Sequence, residues 1–157
     1  MPSRRDLIRM SDDEQRVFLR SNKTITINSN GPGGYPHPMP MWFAVDDDGS
    51  VRMTTFRKSQ KVRNIERDPK VSLLVESGEE YSQLRGVVIY GRARVVDDLA
   101  VVTQTLLAIG GIGNLADPEA RKGAEAAVAK TAAKRVAILI RPEKTVSWDH
   151  SKLGGTY

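Results

Sequence analysis

The chain has 157 residues, of which 39% are hydrophobic and 27% charged, and these values predict a single domain over residues 1–157. It contains no cysteine, which excludes disulfides, thiolate catalysis and zinc sites built on sulfur. The net charge is +5, from 24 basic and 19 acidic residues, and this favours an anionic partner: a nucleic acid, a phosphorylated cofactor or an acidic metabolite. No apolar run reaches the length of a signal peptide or a membrane span, so we expect a cytoplasmic protein without a membrane partner.

The predicted elements are mainly short strands separated by turns. Prolines 36, 38 and 40 place the start of the second strand at a sheet edge, because proline cannot donate to a β-ladder. In chain order we predict a helix over 11–21, strands over 23–28, 39–45 and 50–56, a helix over 58–67, strands over 71–76 and 86–96, helices over 99–109 and 117–134, and strands over 135–141 and 145–148. This order indicates a mainly β fold, a barrel with accessory helices.

Local signals support several of these boundaries. Ser11 and Glu14 have the spacing of a capping box, which predicts a helix start. Asp117 and Pro118 suit the N-cap and the first turn of a later helix. Gly91 interrupts the apolar face of the long strand over 86–96, so we expect a bend or a close backbone approach there.

The densest signal is the basic segment over 54–64, which passes from a strand end into a helix. On an ideal helix Arg57, Lys61 and Asn64 fall on one stripe, and the apolar residues between them fall on another face. Cations, the hydroxyls of Thr54 and Thr55, and the N–H groups of a helix start together predict a phosphate site. The alternative is a solvated basic surface, since charged runs are commonly surface features.

The residues around this segment resemble a known family. The matching pattern is Thr54-Thr55 at the end of a strand, followed by Lys61-x-Arg63-Asn64-x-x-x-Asp68-Pro69 before a Val-Ser-Leu-Leu strand. It is similar to that of the pyridoxamine 5'-phosphate oxidase-like flavoproteins. The resemblance implies a split β-barrel that forms a homodimer, with a cofactor in the groove between the subunits. A physical point agrees, since a barrel this small offers only one wall of a groove to a long anionic coenzyme.

The C-terminal sequence from Val146 to Tyr157 resembles the actinobacterial branch of that family, which uses the deazaflavin coenzyme F420. The central motif is shared by the FMN and F420 branches, so FMN stays the alternative cofactor. The resemblance implies an F420H2-dependent reductase that passes hydride to an electron-poor small-molecule acceptor. An FMN-dependent oxidoreductase and a non-catalytic cofactor- or nucleic-acid-binding module are the other functions considered. The cofactor carries the redox chemistry, so no catalytic side chain is expected.

The resemblance also implies a set of cofactor-binding residues. The phosphate and ribityl chain would be held by the basic segment, and the ring would lie beside the proline-rich strand and a tryptophan from the partner subunit. The residues are Thr54, Thr55, Arg57, Lys58, Lys61 and Asn64 for the first group, Pro38, Met39, Pro40, Met41 and Trp42 for the strand, and Trp148 for the tryptophan.

Other residue patterns predict less. His37 and His150 are too isolated for a metal site, and we expect none. Asp149, His150 and Ser151 are adjacent in sequence, so they cannot converge as a catalytic triad. The exposed positions of the strand over 86–96 carry a tyrosine and two arginines, which would suit single-stranded nucleic acid, but a hydrated outer face is the simpler interpretation and we expect no nucleic-acid partner.

Overall fold

A computed structural model describes Met1 and residues 3–155. The helices are α1 (Arg4–Ile8), α2 (Asp12–Arg20), α3 (Gln60–Arg67), α4 (Leu99–Ile109) and α5 (Pro118–Ala132). The strands are β1 (Thr24–Asn30), β2 (Pro36–Trp42), β3 (Ala44–Val45), β4 (Val51–Phe56), β5 (Lys70–Ser77), β6 (Arg85–Val96) and β7 (Arg135–Asp149). None of the described helices is long and apolar enough to cross a membrane.

The strands form one antiparallel sheet in the order β2-β1-β5-β6-β7-β4-β3. The two edge strands, β2 and β3, are separated in sequence by Phe43 alone. The sheet must therefore curl until its edges meet, which gives the split β-barrel predicted from the sequence. The prediction that the prolines lie at a sheet edge is also confirmed, because β2 has β1 as its single partner among the described strands.

The barrel interior is filled by the inward-facing side chains of the strands. Alternate residues of β6 from Val87 to Ala93 are buried, as their spacing predicted, and α2 closes the barrel with Phe18 and Leu19. A second, smaller apolar cluster lies outside the sheet, where Val102 of α4 and Ala132 of α5 pack on Ala137. This outer cluster holds α4 and α5 against the first half of β7.

Two predicted helix starts, those of α2 and α5, are confirmed in detail. Ser11 and Glu14 form a capping box, with the Ser11 hydroxyl accepting from the Glu14 N–H and the Glu14 carboxylate from the Ser11 N–H. Asp117 caps α5, with Pro118 as its first residue. Gly91 lies at a shift of register in β6, where an added Cβ would come within 2.4 Å of the Arg141 carbonyl oxygen.

The prediction of two separate C-terminal strands is wrong. Residues 135–141 and 145–148 are parts of the single strand β7, which pairs with β6 along its length. Tyr90 and Gly91 pair with Lys144 and Pro142, which leaves Glu143 of β7 without a paired residue. This β-bulge in β7 accommodates Pro142 within a continuous strand.

Candidate functional site

The basic segment lies at the free end of β4. Only Val51 and Arg52 of this strand pair with β3, so from Met53 onward the described edge of β4 facing away from β7 has no strand partner. Thr54 and Thr55 lie on this open stretch, yet both are about 95% buried. Helix α3 follows after a short turn and packs beside them. The split in the barrel thus lies next to two buried hydroxyl groups.

Lys61 is the central cation of the site. It is only 7% exposed, and its Nζ donates to Thr55 Oγ1 at 3.0 Å. Burial lowers the pKa of Lys61, and the neighbouring charge of Arg135 lowers it further. Thr55 Oγ1 also lies 3.3 Å from Ser59 Oγ. The Lys61 amine therefore lies next to two hydroxyl groups, in an environment that disfavours its charged form.

Arg135 is a second cation that sequence reasoning missed. It begins β7, directly opposite Phe56 in β4, and its guanidinium carbon lies 4.7 Å from the centre of the Phe56 ring. Its Nη1 reaches the Thr54 carbonyl and hydroxyl oxygens at 3.4 Å each. Its Nε is buried without a hydrogen-bond partner. We call Lys61, Arg135, Thr54, Thr55 and Ser59 the Lys61 site.

The Lys61 site has a surplus of positive charge. Among the described residues, no carboxylate lies within salt-bridge distance of Lys61 or Arg135. Two adjacent cations without an acidic neighbour are costly in a protein interior, and a bound anion would offset that cost. A buried ammonium group, a half-buried guanidinium group and hydroxyl donors fit a phosphate group well. The described residues contain no cluster of three metal-binding side chains.

Arg57 and Lys58 lie outside α3. The expected stripe of Arg57, Lys61 and Asn64 on one helical face is wrong, because α3 begins only at Gln60 and Arg57 occupies the preceding turn. Arg57 is exposed and forms a two-point ion pair with Asp97, at 2.8 and 2.9 Å. This pair raises the pKa of Arg57 and lowers that of Asp97. Lys58 is exposed beside it.

Asn64 is fully buried and joins α3 to the sheet. Its Nδ2 donates to Ser29 Oγ of β1 at 3.0 Å, and its Oδ1 accepts from Gln60 at 2.8 Å. The helix is thus buried at Lys61 and Asn64 as well as at the apolar residues Val62 and Ile65. The apolar residues are buried, as the predicted apolar side requires, whereas the predicted cationic side is divided: Lys61 and Asn64 are buried and Arg57 is exposed in the preceding turn. Cofactor contact by Asn64 stays a prediction.

The proline-rich strand β2 has two different faces. Met39 and Met41 point inward and pack on the barrel core, while Pro38, Pro40 and Trp42 are exposed on the outer face. The prolines occupy alternate positions of β2, so their main-chain polar groups all point to the same side of the strand. Because proline has no N–H to donate, this is consistent with that side facing away from β1. The free edge of β2 therefore presents carbonyl acceptors and few donors. Contact of this strand with a cofactor ring stays a prediction.

Trp148 packs within its own subunit. It lies opposite Gly86, and a Cβ added there would come within 2.1 Å of the indole ring. The indole is half-exposed on the outer face of the sheet, so stacking on a cofactor held with a partner subunit stays a prediction. The chain then turns back through His150, whose ring lies 4.4 Å from that of Tyr81. The last two residues of the predicted coenzyme F420 motif, at positions 156 and 157, lie outside the described residues.

A family model and several solved structures relate the chain to known proteins. The family model described as pyridoxamine 5'-phosphate oxidase matches residues 11–149. A conserved hypothetical protein from Mycobacterium tuberculosis is 35% identical, with a TM-score of 0.84 over 99% of this chain and 95% of that chain. An F420 reductase is 26% identical, with a TM-score of 0.60 over 83% of this chain and 94% of that chain.

More distant structures share the fold alone. A heme storage protein from Vibrio cholerae is 16% identical, with a TM-score of 0.62 over 89% of this chain and 97% of that chain. No curated protein matches the chain.

Proposed function

The chain belongs to the pyridoxamine 5'-phosphate oxidase-like family of split β-barrels, and from this premise we propose that it is an oxidoreductase that uses coenzyme F420. Its relatives include a protein named as an F420 reductase. The proposed reaction is transfer of a hydride from the reduced coenzyme to an electron-poor small molecule.

The observation that carries the proposal is the uncompensated charge of the Lys61 site. Lys61 is buried beside Arg135, and no described carboxylate neutralises either residue. A phosphate group bound there would accept hydrogen bonds from the amine, from the guanidinium and from the hydroxyls of Thr55 and Ser59. It would also raise the lowered pKa of Lys61, because an adjacent negative charge favours the ammonium form.

The remaining roles follow from where the chain places its side chains. Lys58 is exposed near the Lys61 site, where it would add charge for an entering anion, while Asp97 neutralises the neighbouring Arg57. Strand β2 would provide a flat wall for the ring, with the exposed Pro38, Pro40 and Trp42 excluding water from one side. When bound, the reduced deazaflavin supplies the hydride. The protein supplies orientation, charge and shelter from water.

We propose that the functional form is a homodimer. The inward face of β6 is already filled by the barrel core, so a partner would meet the opposite face. There, Pro40, Thr26, Leu74, Val88 and Val146 lie side by side across five strands. Val146 is 44% exposed, and exposed aromatic residues flank this row. A row of this kind, apolar except for Thr26, is typical of a subunit interface.

The proposed function is tested by adding coenzyme F420 or FMN to the purified protein at micromolar concentration. Saturable binding of F420, retained on gel filtration, followed by oxidation of the reduced coenzyme when an acceptor is added, is expected. Acceptors to screen include quinones, nitro compounds, unsaturated lactones and tetrapyrroles. A protein that is yellow as purified and releases FMN on denaturation would assign the alternative cofactor. Binding of single-stranded oligonucleotides without either cofactor would overturn the proposal.

A further inference from the structure

A cavity of about 630 Å³ lies on the outer face of the sheet, beside α4. Its walls come from β4, β7 and β6, and from Val101 and Gln104 of α4. None of its lining residues belongs to the Lys61 site. The packing of α4 on Ala137, which is the β7 partner of Thr54, separates the two regions.

Four arginines line this cavity. Arg52 and Arg94 flank Leu139 in register, one on each neighbouring strand, and Arg92 pairs directly with Arg141. Like charges directly opposite each other in a sheet oppose its formation. A sheet that nevertheless gathers four guanidinium groups around one cavity has a strong local field for anions.

Only part of this charge is neutralised within the chain. The Nε atoms of Arg52 and Arg92 donate to Asp46 and Glu143, at 2.9 and 2.8 Å. Arg94 and Arg141 are exposed and make no ion pair with any carboxylate in the part of the chain that the structure describes. Four arginines and two carboxylates leave two positive charges without a partner.

The floor of the cavity is apolar. Leu139 lies between the arginines, and Val101 of α4 lines the cavity beside it, while the side chains of Val51 and Ile140 point into the barrel core. The volume is within the usual range for small-molecule sites, which combine apolar walls with a few charged groups. Arginine forks suit phosphate and carboxylate groups, which accept two parallel hydrogen bonds.

We propose that this cavity is a second anion site, which binds a small organic dianion through Arg94 and Arg141 and packs the apolar body of the ligand on Leu139. It is independent of the Lys61 site and of the cofactor proposed to bind there. The two free guanidinium groups match the two charges of a phosphate monoester, and the Gln104 amide on α4 adds a neutral donor at the rim.

The test uses phenyl phosphate as the probe and the full-length protein at constant ionic strength. Titration calorimetry measures affinity, and backbone amide NMR shifts locate the bound probe. The wild-type protein is expected to bind saturably, with shifts centred on Ala93, Leu139 and Arg141. Replacing both free cations, Arg94→Gln with Arg141→Gln, is expected to weaken binding more than tenfold, because two charged hydrogen-bonding groups are lost.

Two control variants separate this site from the alternatives. Lys122→Gln with Lys130→Gln removes the same charge from the exposed face of α5 and is expected to change affinity less than twofold. Lys61→Met is expected to leave the probe-induced shifts at Ala93, Leu139 and Arg141 intact, even if it abolishes phosphate and cofactor binding at the Lys61 site. No saturable shifts at these three amides, an equal loss in the Lys122 and Lys130 control, or loss of these shifts only in Lys61→Met would each overturn the proposal.

Discussion

Replacing Lys61 with methionine is expected to move cofactor affinity and protein stability in opposite directions. Methionine has a similar length and no charge, so it can fill the same space beside Thr55. A charged hydrogen bond to a bound phosphate contributes about 1.5–3 kcal/mol, so the variant should bind the cofactor about 10- to 150-fold more weakly. In the cofactor-free protein, the substitution removes a buried ammonium group that lacks an acidic partner, and the variant should therefore be more stable than the wild type.

The stability change can be estimated from the contacts of Lys61. Burying an ion costs several kcal/mol, and the hydrogen bond from Nζ to Thr55 Oγ1 at 3.0 Å recovers part of that cost. We expect the free energy of unfolding of the cofactor-free variant to rise by about 1 kcal/mol, or ~2–4 °C in Tm. Urea denaturation measures the first quantity, and a fluorescence titration with the coenzyme measures the affinity.

The pH dependence gives this prediction a definite sign. Because the folded-state pKa of Lys61 is lowered, the unfolded chain binds more protons between that pKa and the ordinary value of 10.5. The stability of the wild-type protein therefore recovers relative to Lys61→Met as pH rises through this window. The advantage of the variant should be greatest at pH values below this window and should shrink as pH rises through it.

The matched control is Lys122→Met, the same substitution at an exposed lysine of α5, which should alter neither property. The reasoning is refuted if Lys61→Met lowers the stability of the cofactor-free protein and leaves coenzyme affinity unchanged. Lys61 would then be a structural residue whose hydrogen bond to Thr55 is its whole contribution.

Three further predictions concern neighbouring residues. Arg135→Gln should weaken coenzyme binding about tenfold in the same titration; unchanged affinity would remove this residue from the site. Asp97→Asn should release Arg57 and tighten binding about two- to fivefold at low salt, with the difference shrinking as salt is added. Gly86→Ala should destabilise the protein by about 1–3 kcal/mol in urea denaturation and shift tryptophan fluorescence, because the new methyl group meets Trp148; a neutral result would contradict the packing described.

Local patterns in the sequence were enough to predict most of the fold. The capping box at Ser11, the cap at Asp117 and the bend at Gly91 each depend on a few neighbouring residues, and all three are present. The single strand β7 was not predicted, because Pro142 is a normal end signal for a strand. The structure places that proline at a bulge opposite Gly91, a feature that depends on the partner strand.

The candidate site was harder to predict because it depends on long-range contacts. Arg135 lies 81 residues from Thr54 in sequence, and only the pairing of β4 with β7 brings them together. Asp97 pairs with Arg57 across 40 residues for a similar reason. Charge spacing within the basic segment also misplaced Arg57, since a short turn precedes α3. The sequence showed which residue types the segment brings together, while their geometry depends on the sheet.

The most direct test of the central claim is a fluorescence titration of the purified wild-type protein with coenzyme F420, beside Lys61→Met and with FMN as the comparison ligand. We expect saturable micromolar binding of F420 by the wild-type protein, weaker binding of FMN, and a loss of at least tenfold for F420 in the variant. Equal F420 affinity in the two proteins, or no binding of F420 by the wild-type protein at micromolar concentration, would contradict it.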